Sequence, residues 1–241
     1  MHHGPPRPGS EHHPAASHDQ AAAHTDPEHP LGPLALPEPE PQPRRVTVRV
    51  RRRLTTRQEH PLTVIVGLAH NGRVHLGADS AGVAGYTLTV RADAKLFRTG
   101  PYVMGFTSSF RMGQLLRYAF QPPAPDGDDL HRFMVTTWVD ALRTCLKNGG
   151  WARKDSEQEQ AGTFLVGIHG RLLTIDSDYQ VGESIAPYAA VGCGQDLALG
   201  ALHATQHLGL KPRTRLTAAL AAAAHHSAGV AEPFTHVATR R

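Results

Sequence analysis

The sequence predicts an α+β domain behind an N-terminal extension of different composition, and three observations carry that reading. From Thr63 onward, short apolar runs bounded by turn signals recur, as they do in antiparallel sheets. Two other stretches, Ser109 to Ala119 and Leu130 to Lys147, repeat their apolar residues every three or four positions, the period of a helix with one buried face. Residues 1–62 show neither pattern: histidine, proline, alanine and glycine dominate, and Pro-Glu-Pro-Glu-Pro at 37–41 supports neither a helix nor a ladder. A disordered His/Pro/Arg-rich extension over 1–62 and one folded domain over 63–241 are therefore expected.

The domain opens with Thr63-Val64-Ile65-Val66-Gly67-Leu68, an apolar run directly behind the polar extension, so a strand starts where packing begins. Asn71-Gly72 follows, the dipeptide best suited to the positive φ values of a two-residue hairpin turn, and Arg73 to Asp79 is the returning strand. Ser80 to Gly85 reads as a small-residue loop, Tyr86 to Val90 as an edge strand, and Lys95-Leu96-Phe97-Arg98 as the opening of another strand before the turn at Gly100-Pro101. Tyr102 to Ser109 is a buried strand that runs into the helix ending near Ala119. Gln121 to Asp129 is a connector, Asp129 caps the second helix, and Asn148-Gly149-Gly150 stops it. The stripe Leu130, Phe133, Met134, Trp138, Ala141, Leu142 and Cys145 covers one face of that helix and is core.

Trp151 to Gln160 reads as a charged, mobile connector, followed by a hairpin of Thr163 to Ile168 and Arg171 to Ile175 turning at His169-Gly170. Asp176-Ser177-Asp178 lacks the further ligands of a cation loop and reads as a solvated turn. Tyr188 to Gly194 supplies another strand, Leu197 to Leu208 and Arg215 to Ala224 two alanine-rich helices, and Phe234 to Thr239 a last strand expected to close the sheet of the 163–175 hairpin.

Chemistry enters through spacing. Asp79 follows Thr63 by 16 positions, Lys95 follows Asp79 by another 16, and all three fall at the beginnings or ends of neighbouring strands. With the words T-x-I-V-G, G-A-D-S and K-L-F around them, these offsets resemble the N-terminal nucleophile hydrolases of the proteasome β-subunit and HslV-type peptidase family. The resemblance covers essentially all of residues 63–239 and implies a four-layer αββα sandwich, two antiparallel sheets between helices. It implies Thr63 as nucleophile, Asp79 as the residue that orients the lysine, and Lys95 as the cation beside the nucleophile. A threonine hydroxyl needs a base, and a free α-amine is one known solution; its reference pKa of about 7.7–8.0 leaves a usable unprotonated fraction near neutrality, which a neighbouring ammonium increases. That amine exists only when nothing precedes Thr63, and here Leu62 does. The extension is then a propeptide removed by attack of Thr63 on its own preceding bond, or a start placed too far upstream. Family propeptides commonly end in glycine, where this chain has leucine.

The strand ending at Thr107-Ser108-Ser109 runs into a helix N-terminus, whose outward N–H groups suit a developing oxyanion. The resemblance implies the backbone N–H of Ser108, where the family usually has glycine, as that donor; the rival reading is a simple helix cap. Gly192-Cys193-Gly194 corresponds to the family's glycine-serine-glycine, so Cys193 takes the place of a serine that positions the amino terminus, with a thiol as the weaker donor. His226 and Ser227 lie near where the family places an aspartate and a serine, the aspartate being absent, so His226 is either an alternative proton relay or a charge at a helix C-terminus.

The remaining features bound the function. The scattered histidines of the extension, such as His2, His3, His12 and His13, lack metal-ligand spacing, and no metal or cofactor is called for. Arg44 to Arg53 alternates basic with β-branched residues and reads as a solvated linker rather than a nucleic-acid contact. The net charge of +4 comes largely from that segment. Two cysteines require no disulfide scaffold and no long apolar span is present, so a cytoplasmic protein with no membrane partner is expected. The resemblance further implies a peptide or amide substrate and a homo-oligomeric ring, and admits an AAA+ unfoldase as a partner. Three other classes remain open: a catalytically silent ring subunit, a small-molecule amidohydrolase, and a nucleic-acid binder driven by the arginine segment.

Overall fold

Alternation along the first strand sets the architecture. In β1 (Val64–His70), Val64, Val66 and Leu68 pack into one apolar cluster and Ile65 into another, so the strand is buried on both faces. A sheet buried on both faces must have a layer on each side. The computed structural model describes residues 62–240 other than 152, 156 and 157, all within one unit, Arg53–Arg241. The expected disorder of the extension, its histidines and the Arg44–Arg53 segment lie outside the described residues.

The hairpin of β1 and β2 (Arg73–Ala78) forms as expected, with Asn71 and Gly72 at φ 48° and 70°. Next come β3 (Ala81–Ala84), β4 (Thr87–Val90), β5 (Leu96–Thr99) and β6 (Tyr102–Phe106). The expected loop at 80–85 is therefore a strand: β3 pairs antiparallel with β4 as a separate two-stranded ribbon, Ala81 opposite Val90. All four residues of β4 are exposed, so no core-facing alternation marks this ribbon in the sequence.

Helix α1 (Phe110–Tyr118) is capped by Ser109, whose side chain accepts from the Arg111 N–H. Asp129 likewise caps α2 (Leu130–Phe133), which continues through a π-helical stretch, Met134–Trp138, into α3 (Val139–Asn148). Met134, Trp138, Leu142 and Leu146 are all fully buried. A four-residue repeat drifts from a 3.6-residue helix by about 40° per turn, and the wider π turn takes up part of that drift, keeping the stripe aimed at the sheet.

The Trp151–Gln160 connector contains a short hairpin, β7 (Arg153–Asp155) with β8 (Gln158–Gln160). Then follow β9 (Phe164–Ile168), β10 (Arg171–Ile175), β11 (Val181–Glu183), β12 (Tyr188–Gly192), α4 (Gln195–Ala204), α5 (Pro212–His226) and β13 (Thr235–Ala238).

Two main sheets result, in the orders β12-β1-β2-β13 and β11-β10-β9-β6-β5. The last strand thus joins the first sheet and not the sheet of the 163–175 hairpin. Its place beside β2 is fixed at its far end, where Arg73 donates to the Thr239 carbonyl and the Val74 N–H donates to the Thr239 hydroxyl. Helices α1 and α3 cover the outer face of the second sheet around Trp138, and α4 and α5 cover the outer face of the first. Ile65, Leu76, Val103, Leu165 and Val191 fill the space between the sheets. The fold is an α+β sandwich of four layers, helix, sheet, sheet, helix.

Candidate active site

Thr63 immediately precedes β1, Asp79 immediately follows β2, and Lys95 immediately precedes β5. Antiparallel pairing of Ile65 with Ala78 brings the first two together, and the second sheet, stacked beneath, delivers the third. All three are buried, with 4%, 1% and 3% of their surface exposed. Three charged or polar side chains survive there because they satisfy one another. The Thr63 hydroxyl donates to Asp79 Oδ1, and Lys95 Nζ donates to the Thr63 hydroxyl and, at 2.7 Å, to Asp79 Oδ1.

Asp79 is held by more than this pair. Oδ1 also accepts from the Val64 N–H at 3.1 Å, and Oδ2 accepts from the N–H groups of Ala81 at 2.9 Å and Ala231 at 3.4 Å. These three backbone donors had no signal in the sequence, because any residue supplies an N–H. Burial, the dominant cause, lowers the pKa of Lys95 from its usual value, opposed by the charge and hydrogen bond of Asp79 and helped by the positive charge of Arg91. The Phe110 ring lies 5.9 Å from Lys95 Nζ and carries the Arg91 guanidinium 3.9 Å from its centroid.

Ser108 sits at the other expected position in a left-handed conformation, φ 64°, which an L-residue adopts at a cost and a glycine does not. It is exposed, and its hydroxyl accepts from the Thr163 N–H at 3.1 Å. Its own N–H has no acceptor among the described residues, whereas the neighbouring Ser109 supplies the helix cap. The two readings of this segment therefore divide between two residues: Ser109 caps, and Ser108 leaves its donor open.

Cys193 is exposed, and its sulfur lies 3.5 Å from the Ser227 hydroxyl. His226 is also exposed, at the C-terminal end of α5, with its ring edge-on to that of His225 at 4.6 Å; it makes no hydrogen bond to Thr63, Asp79 or Lys95. One further residue is evident only in three dimensions. Gly192, at φ 105°, backs directly onto Thr63, and a Cβ there would lie 2.3 Å from the Thr63 carbonyl oxygen. Leu62 packs over Gly229 beside Cys193, with a hypothetical Gly229 Cβ 2.9 Å from Leu62 Cδ2 and 2.8 Å from Cys193 Sγ.

No protein-family model matches the sequence, and no curated protein matches it either. Solved structures do. BPH from Thiobacillus denitrificans, in complex with epoxomicin, aligns over 74% of this chain and 98% of its own with a TM-score of 0.63 at 20% identity. Eukaryotic HslV from Trypanosoma brucei aligns over 74% of this chain and 100% of its own, TM-score 0.55, 18% identity. The fold is of the HslV type. Anbu, an ancestral β-subunit from Yersinia bercovieri, shares it over 73% of this chain and 81% of its own, TM-score 0.53, 14% identity. In this HslV-type fold, the ends of the paired strands meet at Thr63, Asp79 and Lys95. Among the described residues, no group of three or more histidine, cysteine, aspartate or glutamate side chains is placed to hold a metal ion, and no helix is long and apolar enough to cross a membrane.

Proposed function

We propose that the chain is a threonine-type hydrolase of amide bonds, active once Thr63 has become an N-terminal residue. The observation that carries this reading is the contact of one buried hydroxyl with a carboxylate and an ammonium together. In the proposed reaction Thr63 Oγ1 attacks the substrate carbonyl carbon while the free α-amine of the same residue takes the hydroxyl proton and passes it to the leaving nitrogen. An ester on Thr63 results. Water, deprotonated by the same amine, then releases the acid and restores the hydroxyl. Lys95 keeps the amine unprotonated through like-charge repulsion, Asp79 fixes Lys95, and the open Ser108 N–H receives the developing oxyanion. Cys193 and Ser227 hold the amine.

The same cluster supports release of the extension. Thr63 Oγ1 attacks the Leu62 carbonyl carbon, the Leu62–Thr63 C–N bond breaks as the nitrogen takes up the hydroxyl proton, and water hydrolyses the resulting ester. Peptides are the proposed substrate class, with a homo-oligomeric ring and an AAA+ unfoldase partner following from the resemblance; a cytoplasmic setting is proposed with them. A second reading, a catalytically silent ring subunit, draws on Leu62, whose carbonyl acylates the Thr63 nitrogen while its side chain packs over Gly229. A third, a small-molecule amidohydrolase, shares the same chemistry, and a panel of peptides against acyl amides separates the two.

The test is the first residue of the purified protein, by intact mass, together with hydrolysis by wild type and Thr63→Ala. A wild-type chain beginning at Thr63 and an unprocessed, inactive variant are expected. Hydrolysis that survives in the variant overturns threonine chemistry; an unprocessed, inactive wild type establishes the silent reading.

A further inference from the structure

A cavity of about 200 Å³ lies away from the candidate active site, at the edge of the first sheet where β13 meets the start of α5. It is lined by His75, His236, Arg98 and Arg213, with apolar groups including Leu216 and Val237 among them. His75 pairs with Ala238 and His236 with Gly77, so the two imidazoles stand on the same face of adjacent strands as diagonal neighbours. Along β1 the partner of His75 is Leu68, five residues from Thr63, which at 3.3 Å per residue is on the order of 15 Å.

Four cationic or protonatable side chains converge here with no acid among the lining residues. Neither arginine has a carboxylate partner among the described residues: Arg98 donates only to the Ala238 carbonyl, at 2.8 Å, and Arg213 makes no hydrogen bond. His236 Nε2 lies 3.2 Å from the Thr217 hydroxyl, while its Nδ1 is buried without a partner, packed toward Gly77. Folding ordinarily disperses or pairs such charges, because gathering them costs free energy unless something negative sits among them. Arg213 also stands in the first turn of a 15-residue helix, α5, whose N-terminus has no side-chain cap, and the partial positive charge of a helix N-terminus favours an anion.

We propose that this cavity binds a tetrahedral dianion, a phosphate or sulfate group, held by the Arg98 and Arg213 guanidiniums and by the imidazoles of His75 and His236. The planar guanidinium fork suits such an oxyanion, and Leu216 and Val237 add apolar contacts for a small organic body carrying it. Both imidazoles are held below the ordinary histidine range in the empty cavity, His75 by burial and then by Arg73 and His70, His236 by burial and then by Arg213. A bound dianion reverses that balance, so binding takes up protons and tightens as pH falls.

Isothermal titration of the full chain with inorganic phosphate, sulfate and phenyl phosphate tests the proposal without reference to hydrolysis. Sulfate keeps its charge across the histidine range, so its pH dependence reports the protein. Expected are binding of phosphate and sulfate, at least tenfold weaker in Arg213→Gln, and sulfate affinity at least threefold higher near pH 6 than near pH 7.5, an increase that His236→Gln reduces. Arg213 has no hydrogen bond to lose, so its variant folds as the parent does. Stronger binding of phenyl phosphate than of inorganic phosphate identifies an organic phosphate as the source of the anion; equal binding identifies the free ion. No binding of any of the three, or binding unchanged in Arg213→Gln, overturns the assignment.

Discussion

Replacing Gly192 by alanine separates a passive strand end from a backstop that positions the nucleophile. Two costs add. At φ 105° an L-residue is strained, worth roughly 1–3 kcal/mol. The new Cβ would also lie 2.3 Å from the carbonyl oxygen and 2.9 Å from the carbonyl carbon of Thr63. That overlap is with backbone, so no rotamer relieves it, and overpacking of this kind costs about 1–3 kcal/mol. A total of about 4 kcal/mol corresponds to a fall in Tm of roughly 8–16 °C for a domain of this size. Because relief requires Thr63 to move by about 1 Å, hydrolysis falls about a hundredfold beyond any loss of folded protein. Differential scanning calorimetry and a peptide assay at a temperature where the variant remains folded measure the two effects separately. Gly200→Ala is the control: it lies within α4 with nothing within 4 Å of its Cβ, and gains up to about 1 kcal/mol from helix propensity. A Gly192→Ala protein with wild-type Tm and wild-type activity would refute the contact between this glycine and the nucleophile.

Three further outcomes follow from the cluster. Asp79→Asn leaves the Lys95 ammonium buried without its counter-charge, lowering stability by about 3–5 kcal/mol in urea unfolding and abolishing hydrolysis; a loss under 1 kcal/mol contradicts the pairing. Burial lowers the pKa of Lys95, so between that lowered value and the ordinary lysine value of about 10.4 the unfolded chain binds more protons than the folded one. The stability of wild type relative to Lys95→Met therefore rises with pH through that window, and urea midpoints that keep a constant separation between about pH 8 and 10 count against it. Ser108→Ala removes the acceptor of the Thr163 N–H, at a cost of about 1 kcal/mol, yet keeps the backbone donor, so kcat is expected within about threefold of wild type; a hundredfold loss would assign the role to the hydroxyl.

The parts of this architecture legible in the sequence were those with a local cause. Asn71-Gly72 and His169-Gly170 specify hairpin turns through their own φ preferences, and the helical stripe around Trp138 specifies its own buried face. Thr63, Asp79 and Lys95 were legible as a set because they are evenly spaced and each lies at the beginning or the end of a strand whose pattern is clear. What stayed hidden depends on partners distant in the chain. The strand β13 was visible as a strand, but its choice of β2 rests on Arg73 and Thr239, 166 residues apart. β3 carries only small residues and pairs with a fully exposed strand, so burial leaves no imprint on it. Gly192 read as part of a glycine-cysteine-glycine word; its contact with the Thr63 carbonyl appears only when β12 is laid beside β1.

Acylation identifies the nucleophile. The processed protein is incubated with an activated peptide ester, quenched in acid, and the adduct is located by tandem mass spectrometry. One acyl group is expected, on the Thr63 hydroxyl of a chain that begins at Thr63. An adduct on the exposed Cys193 thiol, with Thr63 unmodified, would contradict it.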